Sequence, residues 1–242
     1  MISSQLLRKY YPDGSWSGTL KFYDWIRSLI RSDFIVLNIG AGPTSTDKIK
    51  SLKGEVKRVV GADIDPIVLN NKDMDEAVLI KNDTLPFPNN TFDMAWADYV
   101  LEHIEKPEIF LNEAYRVLKP GASFFFRAPN KYHYVSLVGR LTPHWVHKFV
   151  ANKVVGNLSG ATHKHFPTYY RLNSKKDVIK HSKSAGFQEI ELRFVEPEPS
   201  YLMFHSIPFL SGVMYEGTVN RFESLSGIRA NIFGKLTKNQ NM

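Results

Sequence analysis

Five short apolar runs recur between residues 34 and 129 of this 242-residue chain, with polar residues at or just beyond their ends: FIVLNIG (34–40), VKRVVGADI (56–64), EAVLI (76–80), FDMAWAD (92–98) and ASFFFRAP (122–129). Runs this short, rich in β-branched and aromatic side chains, read as strands buried on both faces. Between them TSTDKIKSL (44–52) and the stretch from Glu105 to Leu118 read as helices, the second closed by Lys119-Pro120-Gly121. Strands separated by helices pair in parallel through crossovers, so the pattern predicts an open α/β sheet. Apolar residues at 22, 25, 26, 29 and 30 predict a helix ahead of the first strand. Further on come a helix at 174–185, a strand GFQEIELRFV (186–195), a break at Glu196-Pro197-Glu198-Pro199, an apolar stretch through Tyr215 and a last strand in IRANIFGKLTK (228–238), which makes seven strands.

The length fits one domain over 1–242, with a helical cap at 1–32 and C-terminal strands with an apolar segment at 171–242. Residues 130–170 break the alternation with Tyr, His and Lys among Gly and Pro, and so long a connection reads as an inserted lid. Charge singles out the same region. From Asn130 to Gly186 there are ten Lys and Arg against one acid, Asp177, a local balance of +9, while the whole chain carries +7 and the remainder therefore nets −2. A concentrated positive field points to an anionic partner, although Lys175, Lys176, Lys180 and Lys183 at helical spacing also fit a solvated helix face.

There is no cysteine, which removes disulfides, a thiolate nucleophile and a cysteine zinc site. The start MISSQLLRKYYPDG lacks the apolar core of a signal peptide, and no run reaches the ~18 apolar residues of a membrane span, so the expected location is cytoplasmic.

In an open parallel sheet, ligands bind beyond the carboxyl ends of the strands. Those ends carry Asn38, Gly40 and Gly42; Asp63 and Asp65; Asn82, Asp83 and Thr84; and Asp98, Glu102 and His103. Gly40 and Gly42 allow close backbone approach, and Pro43-Thr44-Ser45 is expected to open a helix whose free amides face the same place. Asp63, about 20 residues beyond the glycines, is placed to accept both hydroxyl hydrogens of a ribose. Asp65 before Pro66 reads as a helix cap. Asp83 suits either the exocyclic amine of an adenine or a turn cap ahead of Leu85-Pro86-Phe87-Pro88.

VLNIGAGP, GADIDP, KNDTLPFPNNTFDMAWADYVLEHI and the helix ending RVLKPG, in this order over residues 34–129, resemble the successive motifs of class I S-adenosylmethionine-dependent methyltransferases of the type 11 group. The resemblance implies a Rossmann-like, seven-stranded, mostly parallel sheet, with residues 33–129 as the S-adenosylmethionine-binding half and S-adenosylhomocysteine as the product. It also implies that Asn38, Gly40, Ala41 and Gly42 line the methionine side, Asp63 binds the ribose, Ile64 flanks the adenine, Asp83 and Thr84 meet its edge, and Ala97 and Asp98 lie beside the sulfonium. Two positions depart from the family pattern: Asn38 stands where an acid is usual, and Thr44 where a small residue is usual. Asn38 accepts a hydrogen bond but gives no charge to the cofactor's ammonium group.

Methyl transfer needs the nucleophile, methyl and sulfur held in line, and a base only where the acceptor is a hydroxyl or protonated amine. His103 in LEHI is the candidate base, because imidazole titrates near neutrality. His163, His165 and Arg171 in ATHKHFPTYYR are candidate acceptor contacts. The expected acceptor is a small anionic sugar, glycolipid or acid. The apolar tail SYLMFHSIPFLSGVMYEGTVNRF reads as core packing or peripheral membrane contact, and Tyr10, Tyr11 and Trp16 as a cover over the cofactor or as packed aromatics.

Rival readings are an S-adenosylmethionine-binding scaffold without turnover, an RNA methyltransferase served by the basic segment, and an NAD(P)-dependent oxidoreductase in which Tyr115 and Lys119 form a YxxxK pair. A metal site built from His144, His147, His163 and His165 has no cysteine or carboxylate cluster to support it, and no metal is expected.

Overall fold

A computed structural model describes residues 4–13, 16–141 and 166–240. Its centre is a seven-stranded sheet in the order β3-β2-β1-β4-β5-β7-β6, formed by β1 (Ile35–Ile39), β2 (Arg58–Asp63), β3 (Glu76–Leu79), β4 (Phe92–Asp98), β5 (Leu118–Pro129), β6 (Glu189–Val195) and β7 (Asn231–Thr237). The β1–β2, β1–β4, β2–β3 and β4–β5 pairs are parallel. β7 runs antiparallel to β5, since Gly121 donates to the Lys238 carbonyl while Ser123 pairs with Thr237. Strand order reverses between β1 and β4, and such a switch point opens a crevice at the strands' carboxyl ends.

The apolar runs form strands because both faces of the sheet are covered. Val36 and Leu37 of β1, Ala95 to Ala97 of β4 and Phe124 to Phe126 of β5 are all fully buried. The helix expected near residue 22 forms as α2 (Gly18–Arg27), with Trp25 packed edge-on against Phe125 and Phe22 against Phe233. Helix α3 (Pro107–Val117) begins on a proline and buries Pro107, Leu111 and Ala114, one face at helical spacing. The helix Lys175–Ser184 is capped by Ser174, whose Oγ accepts from the Asp177 backbone N–H.

One expected helix is absent. Residues 44–52 contain only a single 3-10 turn, Lys48–Lys50, with Asp47 as its cap. Upstream of it, Thr44 Oγ1 accepts from Lys72 N–H and Ser45 N–H donates to Asp73, so these residues are held in a loop by residues 71–73.

By contacts the chain falls into two compact units. One, Thr19–Ala128, Thr168–Arg193 and Ile232–Met242, holds nearly all of the sheet. In the other, Met1–Gly18, Pro129–Pro167 and Phe194–Asn231, α1 (Ser4–Tyr10), α4 (Tyr134–Leu141) and α6 (Ser206–Arg221) are helical. Helix α5 (Lys175–Ser184) belongs to the first unit. Within this second unit Tyr10 and Tyr11 pack edge-on against Phe209, Tyr11 against Trp16, and the Tyr11 hydroxyl donates to Glu216. Buried Arg229 donates to the carbonyls of Val219 and Phe194 and to Glu223. No helix among the described residues is long and apolar enough to cross a membrane.

Gly234 in β7 lies directly under the ring of Phe126, and a Cβ there would overlap that ring. Gly234→Ala is therefore expected to lower unfolding free energy by about 1–3 kcal/mol in urea titrations; an unchanged midpoint would show that the ring can move aside.

Candidate active site

At the end of β1 the chain turns sharply at two glycines with left-handed backbones, Gly40 (φ 77) and Gly42 (φ 54). A side chain on Gly40 would collide with Val100, whereas the space where Gly42 would carry one is open. Gly40 N–H donates to the Ala62 carbonyl at 2.7 Å, joining the turn to β2. Asp63, buried at the end of β2, closes the loop: Oδ2 accepts from Gly42 N–H at 2.8 Å and Oδ1 from Asp65 N–H at 2.8 Å. Each oxygen keeps a further lone pair, so the carboxylate can still accept two hydroxyl hydrogens.

Asn71 braces the outside of this loop, donating through Nδ2 to the carbonyls of Ala41 and Gly42 at 3.1 and 3.0 Å. Asn71 and Asp73 are buried polar residues that the motif pattern did not single out. Asn38 is buried near the end of β1. The room at Gly42 and the acceptors on Asp63 fit an adenosyl ligand. With only a single 3-10 turn behind the glycines, the helix N-terminus that would seat a pyrophosphate is missing. Tyr115 and Lys119 lie at the opposite end of the sheet, where Lys119 pairs with Asp93 at 2.7 Å and Tyr115 packs on Phe187, so the YxxxK pair is remote from the loop.

Beyond β2, Ile64 is 58% exposed, available as an apolar surface for a flat ring. Asp65 is the expected cap, accepting from Ile67 N–H. Residues 81–84 form a tight turn with Asn82 and Asp83 both at positive φ; Asp83 is exposed and lies 3.3 Å from Lys106 Nζ, and Thr84 Oγ1 donates to the Asn82 carbonyl. The following LPFPNN loop is held by α3. Arg116 donates to the carbonyls of Leu85 and Phe87 and to Asn89, while Glu113 accepts from Leu85 N–H and pairs with Arg116. These contacts give the LPFPNN and RVLKPG segments a common structural role.

At the end of β4, Ala97 is fully buried and Asp98 is bound by a partner the sequence did not reveal. Arg127 of β5, 2% exposed, grips Asp98 with two bonds of 2.6 and 2.7 Å. It also donates to Thr19 Oγ1 at 2.9 Å and stacks over Tyr99 at 4.5 Å. Tyr23 donates to Asp98 at 3.3 Å, and Lys50 Nζ stands 3.8 Å away. Burial, and then the Asp98 charge, push the Tyr23 hydroxyl well above the usual phenol range. Both oxygens of Asp98 are thus committed inside the protein.

Four residues on, the one-turn helix Leu101–His103 carries Glu102, which is 7% exposed. Its Oε2 is buried without a hydrogen-bond partner. Loss of hydration pushes its carboxyl up to about 7; the Asp98 charge adds to this, while Arg127 and a backbone N–H oppose it. The Glu102 carbonyl accepts from Tyr169 N–H at 2.7 Å and Tyr170 N–H at 3.2 Å, and Arg171 donates to the Glu105 carbonyl at 2.6 Å. Arg171 therefore braces residues 102–105. His103 is half-buried, its N–H on the Val100 carbonyl. His144, His147, His163 and His165 lie outside the described residues. Among the described residues no group of three His, Asp or Glu side chains is placed to hold a metal ion.

Comparison with known proteins matches residues 37–126 to the model of a methyltransferase domain. The ubiquinone/menaquinone biosynthesis C-methyltransferase UbiE of Escherichia fergusonii is 33% identical over 103 residues, 38% of this chain and 41% of that protein, so the match spans well under two thirds of the relative's length. Among solved structures, an S-adenosylmethionine-dependent methyltransferase from Archaeoglobus fulgidus superposes with a TM-score of 0.58 at 14% identity, covering 97% of this chain and 98% of that one. The Haemonchus contortus phosphoethanolamine N-methyltransferase 2 in complex with S-adenosylhomocysteine gives 0.55 at 14% identity, over 94% of this chain and 53% of that one. At these identities the superpositions establish the fold.

Glu102 makes stability depend on pH. Its folded carboxyl holds a proton up to about 7, whereas an unfolded glutamate loses it near 4.5, so the folded state binds more protons between these values and this residue lowers stability as pH rises through the window. Urea unfolding of Glu102→Gln against wild type from pH 4 to 8 is expected to show the variant gaining about 3 kcal/mol relative to wild type as pH rises. Parallel curves would contradict the assignment.

Proposed function

We propose that this chain is a class I S-adenosylmethionine-dependent methyltransferase that moves a methyl group to an oxygen or nitrogen of a small anionic acceptor, a sugar, glycolipid or small acid; the methyltransferase-domain match over residues 37–126 and the fold support this reading. The observation that carries the cofactor assignment is Asp63, a buried carboxylate at the second strand end, bonded to the glycine loop and retaining acceptors for two hydroxyls. When bound, S-adenosylmethionine supplies a methyl carbon activated by positive sulfur.

The chain's own residues do the rest by holding and excluding. Gly40, Ala41 and Gly42 give the methionine end room, and Asn38 offers that end an uncharged amide. Asp63 fixes the ribose, Ile64 covers one adenine face, and Asp83 and Thr84 form the adenine edge. Ala97 and the backbone of Asp98 wall the methyl side, because the Asp98 carboxylate is engaged by Arg127. An anionic acceptor is supported by the basic stretch from Asn130 to Gly186, to which His163, His165 and Arg171 belong. Cytoplasmic location belongs to the same proposal.

Thermal unfolding with S-adenosylhomocysteine tests the reading. At one hundred times the dissociation constant the ligand is expected to stabilise wild type by about 2.7 kcal/mol, with Asp63→Ala abolishing the shift. Asn38→Asp, which restores a charge opposite the ammonium group, is expected to tighten binding by roughly tenfold, the ~1.4 kcal/mol scale of a charge-assisted bond. A shift with NADH and none with S-adenosylhomocysteine would overturn the assignment. Methyl-donor turnover on sugars, phosphoglycolipids, small acids and RNA then separates the acceptor classes, and binding without turnover on any of them would mark a scaffold.

A further inference from the structure

We propose that Glu102 is the general base of the reaction, and that the acceptor therefore presents an O–H or N–H hydrogen to a buried carboxylate. The proposal rests on the methyltransferase reading above and goes beyond it in assigning the proton's destination.

Three observations support it. Glu102 follows the end of β4 by four residues, on the carboxyl side of the sheet beside the switch point where the ligand crevice opens. Its Oε2 is shut off from water and makes no hydrogen bond, although a carboxyl oxygen without a partner in such a place is costly and has no evident part in holding the fold. The other acid at this strand end is engaged: Asp98 has Arg127 on both oxygens and Tyr23 and Lys50 around it. The charged groups acting on Glu102 are Asp98 from β4 and Arg127 from β5, and because these two neutralise each other, burial dominates. That balance sets the carboxyl close to neutrality, where a base is half available and still strong enough to take a proton. Tyr169 and Tyr170 N–H groups hold the Glu102 carbonyl, fixing the backbone of the turn that carries this carboxyl.

The step balances without any further reactant. As a lone pair of the acceptor closes on the methyl carbon, the carbon–sulfur pair stays on sulfur, which becomes neutral, and the acceptor's proton passes to the Glu102 carboxylate, whose residue keeps 7% exposure, and later to water. His103 on the same turn is the competing base.

Proton linkage tests this before any acceptor is known. A sulfonium beside Glu102 favours the carboxylate, so binding should expel its proton. Calorimetric titration with S-adenosylmethionine at pH 7, in two buffers of different ionisation enthalpy, is expected to show wild type releasing on the order of half a proton more than Glu102→Gln, with both binding the ligand and Glu102→Asp keeping the release. S-adenosylhomocysteine, which lacks the positive charge, is expected to erase that difference. With an acceptor that turns over, Glu102→Gln is expected to lower kcat about 100-fold and remove the rise in rate through neutral pH, while S-adenosylhomocysteine still binds. Equal proton release in wild type and Glu102→Gln, or an unchanged kcat, would overturn the proposal, as would loss of the proton signal in His103→Gln with Glu102→Gln unaffected. Failure of wild type to bind either ligand would instead bring down the methyltransferase reading itself.

Discussion

The bidentate pair between Arg127 and Asp98 fixes the business end of the sheet. Two neighbouring strands end in these opposite charges, and both are nearly out of water, so each needs the other. Through Arg127 the pair reaches Thr19 at the start of α2, and through Asp98 it collects the Tyr23 hydroxyl. One ion pair thus ties the first helix of the sheet unit to the carboxyl ends of β4 and β5. It also sets the electrostatics around Glu102, because a neutralised pair leaves burial as the main influence on that carboxyl.

A second set of bonds shapes the cofactor side. Asp63 is both a candidate ligand-binding residue and the clasp of the glycine turn, accepting from Gly42 and Asp65 before any ligand arrives. Asn71 and Asp73 hold the same loop from outside. A turn held at four points is preorganised for its ligand, which lowers the ordering cost of binding. Glu113 and Arg116 do the same for the LPFPNN loop after β3. The match of residues 37–126 to a methyltransferase domain covers these turns and the braces that hold them.

Much of the fold was legible because its signals are local. A strand such as FDMAWAD forms where its apolar run lies, at Phe92–Asp98, since a run buried on both faces has no other place to go. Misreadings came where side chains compete with the backbone. Residues 44–52 have helical composition, but Thr44 and Ser45 bond to residues 72 and 73, and one 3-10 turn is all that remains. Of the site, Gly40, Gly42 and Asp63 were visible as residue types at fixed spacing. Arg127 was not, because nothing in ASFFFRAP marks its arginine as the partner of an aspartate 29 residues earlier.

By itself the sequence determined an α/β chain with parallel strands, a glycine turn after the first of them, acids at the next two strand ends and a basic stretch after the fifth. Those features follow from hydrophobic periodicity, from glycine's backbone freedom and from charge, all carried by neighbours in the chain. Only the tertiary structure decided which acids are engaged by other strands and which keeps a buried oxygen without a partner. Asp98 and Glu102 stand four residues apart with similar chemistry, yet one meets a guanidinium and the other meets nothing at Oε2. That difference arises from what other strands bring alongside, and burial then turns it into a difference in proton affinity.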